Sequence, residues 1–144
     1  MPQVLLAEDN PADVYLIREA LRENGVTCKL QVAADGKEVL QILTGEVPGV
    51  ESLNLIILDL NLPRHDGIEI LERLGQMGLG HIPVVVLTSS DSPRDRQMAI
   101  QLGAARYLRK PSGLEQFLNL GAIFKELLNP PQPAPDGAQG AKVE

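Results

Sequence analysis

Apolar and polar positions divide the chain into two alternating kinds of segment. The runs at 4–7 (VLLA), 55–58 (LIIL) and 82–87 (IPVVVL) are continuously apolar, the pattern of strands covered on both faces. The run at 26–33 alternates instead: Val26, Cys28, Leu30 and Val32 share one side, and Thr27, Lys29 and Gln31 the other. That pattern predicts an edge strand, with Lys29 discouraging further pairing. Cys28 falls on the apolar side and is expected to be a buried core thiol. A shorter run at 106–108 predicts a fifth strand. Amphipathic segments fill the intervals, and each begins with a start signal. Asn10-Pro11-Ala12-Asp13, Asp35-Gly36-Lys37-Glu38, Asp66-Gly67-Ile68-Glu69, Ser92-Pro93-Arg94-Asp95 and Ser112-Gly113-Leu114-Glu115 each place a capping residue three positions before an acid. Pro11 and Pro93 sit where a helix has no use for an N–H. Strict alternation with short connections predicts an α/β domain: a doubly wound parallel sheet with helices on both faces.

Two stretches escape the pattern. Residues 45–54 read as a long loop rich in turn formers. From Asn129 onward (NPPQPAPDGAQGAKVE) the apolar period stops, so residues 1–128 are expected to fold and 129–144 to form a largely disordered Pro/Gly-rich tail.

Composition narrows the function. The chain has 144 residues, 13 Lys+Arg against 19 Asp+Glu and a net charge of −6, with no basic face to offset nucleic-acid phosphate. No apolar stretch approaches the roughly 20 residues that span a bilayer, and the start lacks a basic signal segment, so a cytoplasmic location is expected. One cysteine and two histidines exclude an internal disulfide framework and make a zinc enzyme implausible. His65 and His81 are expected in solvent-exposed loops and receive no role.

The candidate chemistry lies where the strands end, since open α/β sheets bind ligands beyond their carboxyl edges. The first strand delivers Glu8 and Asp9, the third Asp59, the fourth Thr88 and the fifth Lys110. Three carboxylates on one rim repel each other unless a cation neutralises them. An all-oxygen site with open positions suits Mg²⁺, which keeps several waters and takes substrate phosphate oxygens as further ligands. Lys110 and Thr88 would then hold phosphoryl oxygens as point charge and hydrogen-bond donor. Among the acids Asp59 is the best nucleophile candidate, because it ends a buried central strand while Glu8 and Asp9 share a turn suited to metal.

With these residues in view, a resemblance emerges. LLAEDN at 5–10, LDLNLPRHDG at 58–67, VVVLTSS at 84–90 and YLRKP at 107–111 resemble the receiver domain of bacterial two-component response regulators. The likeness runs from about residue 4 to 128, with the motifs in order at matching intervals. It implies a flavodoxin-like fold with five parallel strands in the order 2-1-3-4-5. It also implies that Asp59 accepts a phosphoryl group from a histidine kinase. Mg²⁺ would be held by Glu8, Asp9, Asp59 and the backbone carbonyl of Asn61. Thr88 and Lys110 would hold the phosphoryl group, and Tyr107 would be the aromatic that turns inward on activation, remodelling the surface of the fourth helix, fifth strand and fifth helix. Such a switch catalyses its own phosphorylation and dephosphorylation rather than acting as an enzyme on other molecules. The wording of the motifs and the Pro-rich close also resemble the small single-domain regulators paired with bacterial phytochromes, which implies such a kinase as partner. Ser52-Leu53-Asn54 and the absence of tryptophan depart from that subgroup. A receiver for a non-light histidine kinase or a phosphotransfer protein is the alternative.

Protein contacts follow from helix faces. On the last helix, taken at about 100° per residue, apolar positions cover half the circumference, and Leu120, Phe124 and Leu127 are expected at its outer edge as a homodimer contact. Leu16 and Ala20 flank the core stripe of the first helix and are expected where, by the resemblance, a kinase docks. Two other classes fit less well. An aspartyl-phosphate hydrolase would want a second Asp two positions after the nucleophile, where Asn61 stands. A flavin carrier would want a Ser/Thr/Gly loop after the first strand, where Glu8 and Asp9 would repel its phosphate.

Overall fold

The structure, a computed structural model, describes residues 1–46 and 52–129. The tail beyond 129 and part of the loop at 45–54 lie outside the described residues. Strands and helices alternate: β1 (Gln3–Ala7), α1 (Pro11–Glu23), β2 (Lys29–Ala33), α2 (Gly36–Leu43), β3 (Leu55–Leu58), α3 (Gly67–Gln76), β4 (Val84–Thr88), α4 (Pro93–Gln101), β5 (Arg106–Arg109) and α5 (Leu114–Leu128). All neighbouring strands pair in parallel, in the order β2-β1-β3-β4-β5. This is the flavodoxin-like receiver fold that the resemblance implied.

The runs that read as covered on both faces are so. Every residue of β3 and β4 is buried, whereas Lys29 of β2 and both arginines of β5 are exposed at the edges. Alternate residues of each central strand feed two separate cores. Leu5, Ile56, Leu58 and Val86 pack under α2, α3 and α4, while Val4, Leu6, Ile57 and Leu87 pack under α1 and α5. Four of the five predicted caps hold: Asn10, Asp35, Asp66 and Ser92 each accept from backbone N–H groups of the first turn. At α5 the cap position belongs to Gly113, with no side-chain bond, so Ser112 lies one residue too early.

The second strand is shorter than its alternation predicts, for a local reason. Gly25 adopts φ 72°, a left-handed conformation that glycine takes without steric cost. Gly25 N–H then bonds Arg22 O, and Val26 N–H bonds Leu21 O at 2.9 Å, closing α1 in a Schellman motif. Val26 is thereby committed to the helix end. Pairing of this segment with the start of β1 begins only at Lys29, whose N–H reaches Pro2 O at 2.8 Å. Cys28 is accordingly half-buried in the approach to the strand, packed at the margin of the core instead of inside it. That partial burial still raises its thiol pKa.

Candidate functional site

At the carboxyl edge the strand order reverses about β1, so β1 and β3 deliver their next residues side by side. Asp59 N–H bonds Ala7 O at 3.0 Å, which brings the first residue beyond β3 against the end of β1. Glu8, Asp9 and Asp59 each place a carboxylate oxygen within 4.8 Å of the others. Glu8 and Asp59 are 2% and 5% exposed, and Asp9 stands open to solvent. This donor set consists of hard oxygens with one accessible side, and it fits Mg²⁺. Burial, with Asp59 nearby adding to it against the opposing bond from Lys110, pushes the Glu8 carboxyl up to about 7.

Lys110 follows β5 and is steered by its own backbone, whose N–H bonds Thr88 O at 2.7 Å. Its ammonium meets Glu8 Oε1 at 2.8 Å, Asp59 Oδ2 at 2.8 Å and Asp13 Oδ2 at 2.7 Å. Burial alone would lower the Lys110 pKa, but the hydrogen bonds it donates to Asp13, Asp59 and Glu8 together raise it above its ordinary value. Asp13 is the member that sequence reading missed. It reads there as the acid of a helix start, and that role conceals that the first turn of α1 faces the same rim.

The remaining residues link this charge cluster to the α4 side. Asn61 N–H bonds Asp59 Oδ1 at 3.0 Å, and Asn61 Nδ2 donates to Thr88 Oγ1 at 3.3 Å. Gly67 lets the loop after Asp59 close, because a Cβ there would stand 2.7 Å from Leu60 Cα and 2.9 Å from Asp59 O. Thr88 is fully buried, and its Oγ1 also accepts from Ser90 N–H at 3.3 Å. Ser90 O in turn accepts from the Tyr107 hydroxyl at 3.2 Å. Tyr107 already lies inward, 9% exposed within the core under α2–α4, with the Arg96 guanidinium 5.7 Å above its ring. Ser90 therefore joins the site hydroxyl to the aromatic through one peptide segment, a connection that no residue spacing announces.

The two docking expectations are corrected in part. Phe124 is fully buried and Leu120 is 8% exposed, both in the core under α1 and α5, while Leu127 is partly buried against it. Leu120 and Phe124 are thus in the middle of the inward stripe, not at its outer edge, because α5 packs on α1 and the sheet at once, and of the three only Leu127 lies at the margin. Gly121 makes that close approach possible: a Cβ there would collide with Ala20 O and Asn24 Nδ2. Ala20 is likewise fully buried beneath α5, so it is not available to a kinase, and Leu16 is only partly exposed. The exposed aromatic of α1 is Tyr15, at 62%. His65 sits in a loop but has a partner, Glu69, at 2.9 Å. Among the described residues no helix is long and apolar enough to cross a membrane.

A parallel sheet in this order, carrying paired acids after β1, an acid after β3, a hydroxyl on the last residue of β4 and a lysine after β5, defines the receiver class of signalling domains. The chain belongs to the response regulator receiver domain family, which it matches over residues 4–120. It is 37% identical over 120 residues to the response regulator Rcp1 of Synechocystis sp., covering 81% of this chain and 82% of Rcp1. The Mn(2+)-bound form of Rcp1 has a similar structure, with a TM-score of 0.83, 33% identity, and coverage of 92% of this chain and 98% of that one. The phosphorylated cyanobacterial phytochrome response regulator RcpA is similar as well, with a TM-score of 0.81, 35% identity, and coverage of 88% and 93%. The response regulator MprA of Mycolicibacterium vanbaalenii is 34% identical over 116 residues, but this chain, 81% of it covered, spans only 47% of that longer protein.

Proposed function

We propose that this receiver is a phosphoacceptor switch in which Asp59 takes a phosphoryl group from a histidine kinase. The observation that carries the reading is the placing of Asp59 Oδ2, 2.8 Å from Lys110 Nζ and within a ring of acid oxygens shared with Glu8 and Asp9. A carboxylate oxygen of Asp59 attacks phosphorus, forming an O–P bond as the donor's P–N bond breaks and its electron pair returns to the imidazole nitrogen. Glu8, Asp9, Asp59 and the Asn61 carbonyl would hold Mg²⁺, which supplies charge neutralisation for the incoming phosphoryl oxygens. Lys110 meets one such oxygen as a point charge and Thr88 donates its hydroxyl to another. The Thr88 hydroxyl then draws away from Ser90 N–H, and the Ser90–Tyr107 bond carries that shift to α4 and β5, a local charge event biasing a two-state element.

For the donor we propose a kinase of the bacterial phytochrome type, on the likeness to the phytochrome response regulator RcpA and to Rcp1. Intact mass after incubation with Mg²⁺ and acetyl phosphate tests the chemistry. Wild type gains a single phosphoryl adduct that needs Mg²⁺, and Asp59→Asn gains none. No adduct on wild type, together with no binding of beryllofluoride, rejects the switch. The donor is tested separately: phosphotransfer from a phytochrome kinase at least about tenfold faster than from an unrelated kinase is expected, and equal rates remove the light-linked reading.

A further inference from the structure

Resting on the phosphoacceptor reading, we propose that Asp13 is a positioning residue for Lys110, the anchor that keeps its ammonium at the rim when its other two partners are engaged elsewhere. An ammonium has three N–H donors, and here each is spent on a different carboxylate: Asp13 at 2.7 Å, Glu8 at 2.8 Å and Asp59 at 2.8 Å. Glu8 and Asp59 are also the buried members of the acid cluster suited to a metal. Once their oxygens turn to a cation, two of the three bonds holding Lys110 weaken together. Asp13 lies outside that cluster, in the first turn of α1, and the Asn10 cap fixes that turn by accepting from Ala12 and Asp13 N–H. Its carboxylate is therefore not one that a cation would draw from Lys110, although the turn touches the cluster through the Asn10 N–H, which bonds Glu8 Oε2 at 3.2 Å. The Lys110 side chain is 13% exposed and that of Asp13 18%, so the pair is sheltered from the screening that makes surface ion pairs weak. Freed from Asp13, a long lysine side chain would sample many rotamers, and the phosphoryl oxygen would meet it less often.

The test compares wild type with Asp13→Asn, Asp13→Ala and Asp13→Glu in three measurements: the rate of adduct formation with acetyl phosphate at saturating Mg²⁺, the dissociation constant of beryllofluoride, and that of Mg²⁺ alone by calorimetry. Both Asp13→Asn and Asp13→Ala are expected to slow phosphorylation and weaken beryllofluoride about tenfold, the scale of losing a supporting partner. Mg²⁺ affinity is expected to stay within about threefold, and Asp13→Glu to recover most of the loss. Wild-type rates and beryllofluoride affinity in the two variants overturn the proposal. So does a loss of Mg²⁺ affinity as large as the loss of phosphorylation, which would make Asp13 a metal ligand instead. Failure of the wild type itself to accept a phosphoryl group would sink the phosphoacceptor reading, an outcome distinct from either.

Discussion

Glu8 is a buried carboxyl whose protonation bears on stability and, in the proposed metal site, on cation affinity. Its pKa rises from an ordinary 4.5 to about 7, chiefly because burial disfavours the anion. Between those values the folded protein holds a proton that the unfolded chain has released, so stability from this group is present below about 4.5 and lost as pH climbs to about 7. Metal-free protein is expected to melt at progressively lower temperature across that interval, and Glu8→Gln to flatten this part of the profile. Cation binding needs the ionised form. The apparent Mg²⁺ affinity one pH unit below the Glu8 pKa is therefore expected to be about tenfold weaker than well above it, as titration calorimetry at two pH values would record. The sequence was informative about Glu8, Asp9, Asp59, Thr88 and Lys110, because each closely follows a short apolar run that announces a strand. Asp13 was hidden, since its distance to Lys110 is set by how α1 leaves the sheet and not by position along the chain.

Among the elements, α5 teaches most. Its apolar arc is wide enough to suggest a second contact, but the middle of the arc, Phe117, Leu120 and Phe124, is consumed by two neighbours, the sheet on one side and α1 on the other. Gly121 and Ala20 meet at that crossing. Gly121→Ala is expected to destabilise the domain by about 1–3 kcal/mol, the cost of overpacking, measured by urea unfolding. Phe124→Ala is expected to cost about 3–5 kcal/mol because the ring is wholly enclosed, with no dependence on protein concentration. A loss of dimer with unchanged monomer stability would contradict the buried placing of Phe124. Strand and helix identities were legible from periodicity and caps. The late start of β2 was not, because alternation at 26–28 continues into residues that the Schellman closure at Gly25 withholds from pairing.

For the molecule as a whole, an excess of acid, −6 at neutral pH, is concentrated in part at one rim. Mg²⁺ at a hundredfold over its dissociation constant is expected to stabilise the fold by about 2.7 kcal/mol by mass action. Thermal unfolding with and without a chelator should show the gain in wild type and little of it in Asp59→Ala. Periodicity, caps and composition are local properties, so they sufficed for the α/β class, the succession of elements and the five residues at strand ends. The resemblance supplied the order of strands, and the structure carried it through. Packing in three dimensions settled which acids share Lys110, that Ser90 is hydrogen-bonded to both Thr88 and Tyr107, and that Ala20, Leu120 and Phe124 face inward. Those outcomes depend on helix crossings and on the approach of segments distant in the chain, and a one-dimensional pattern carries neither.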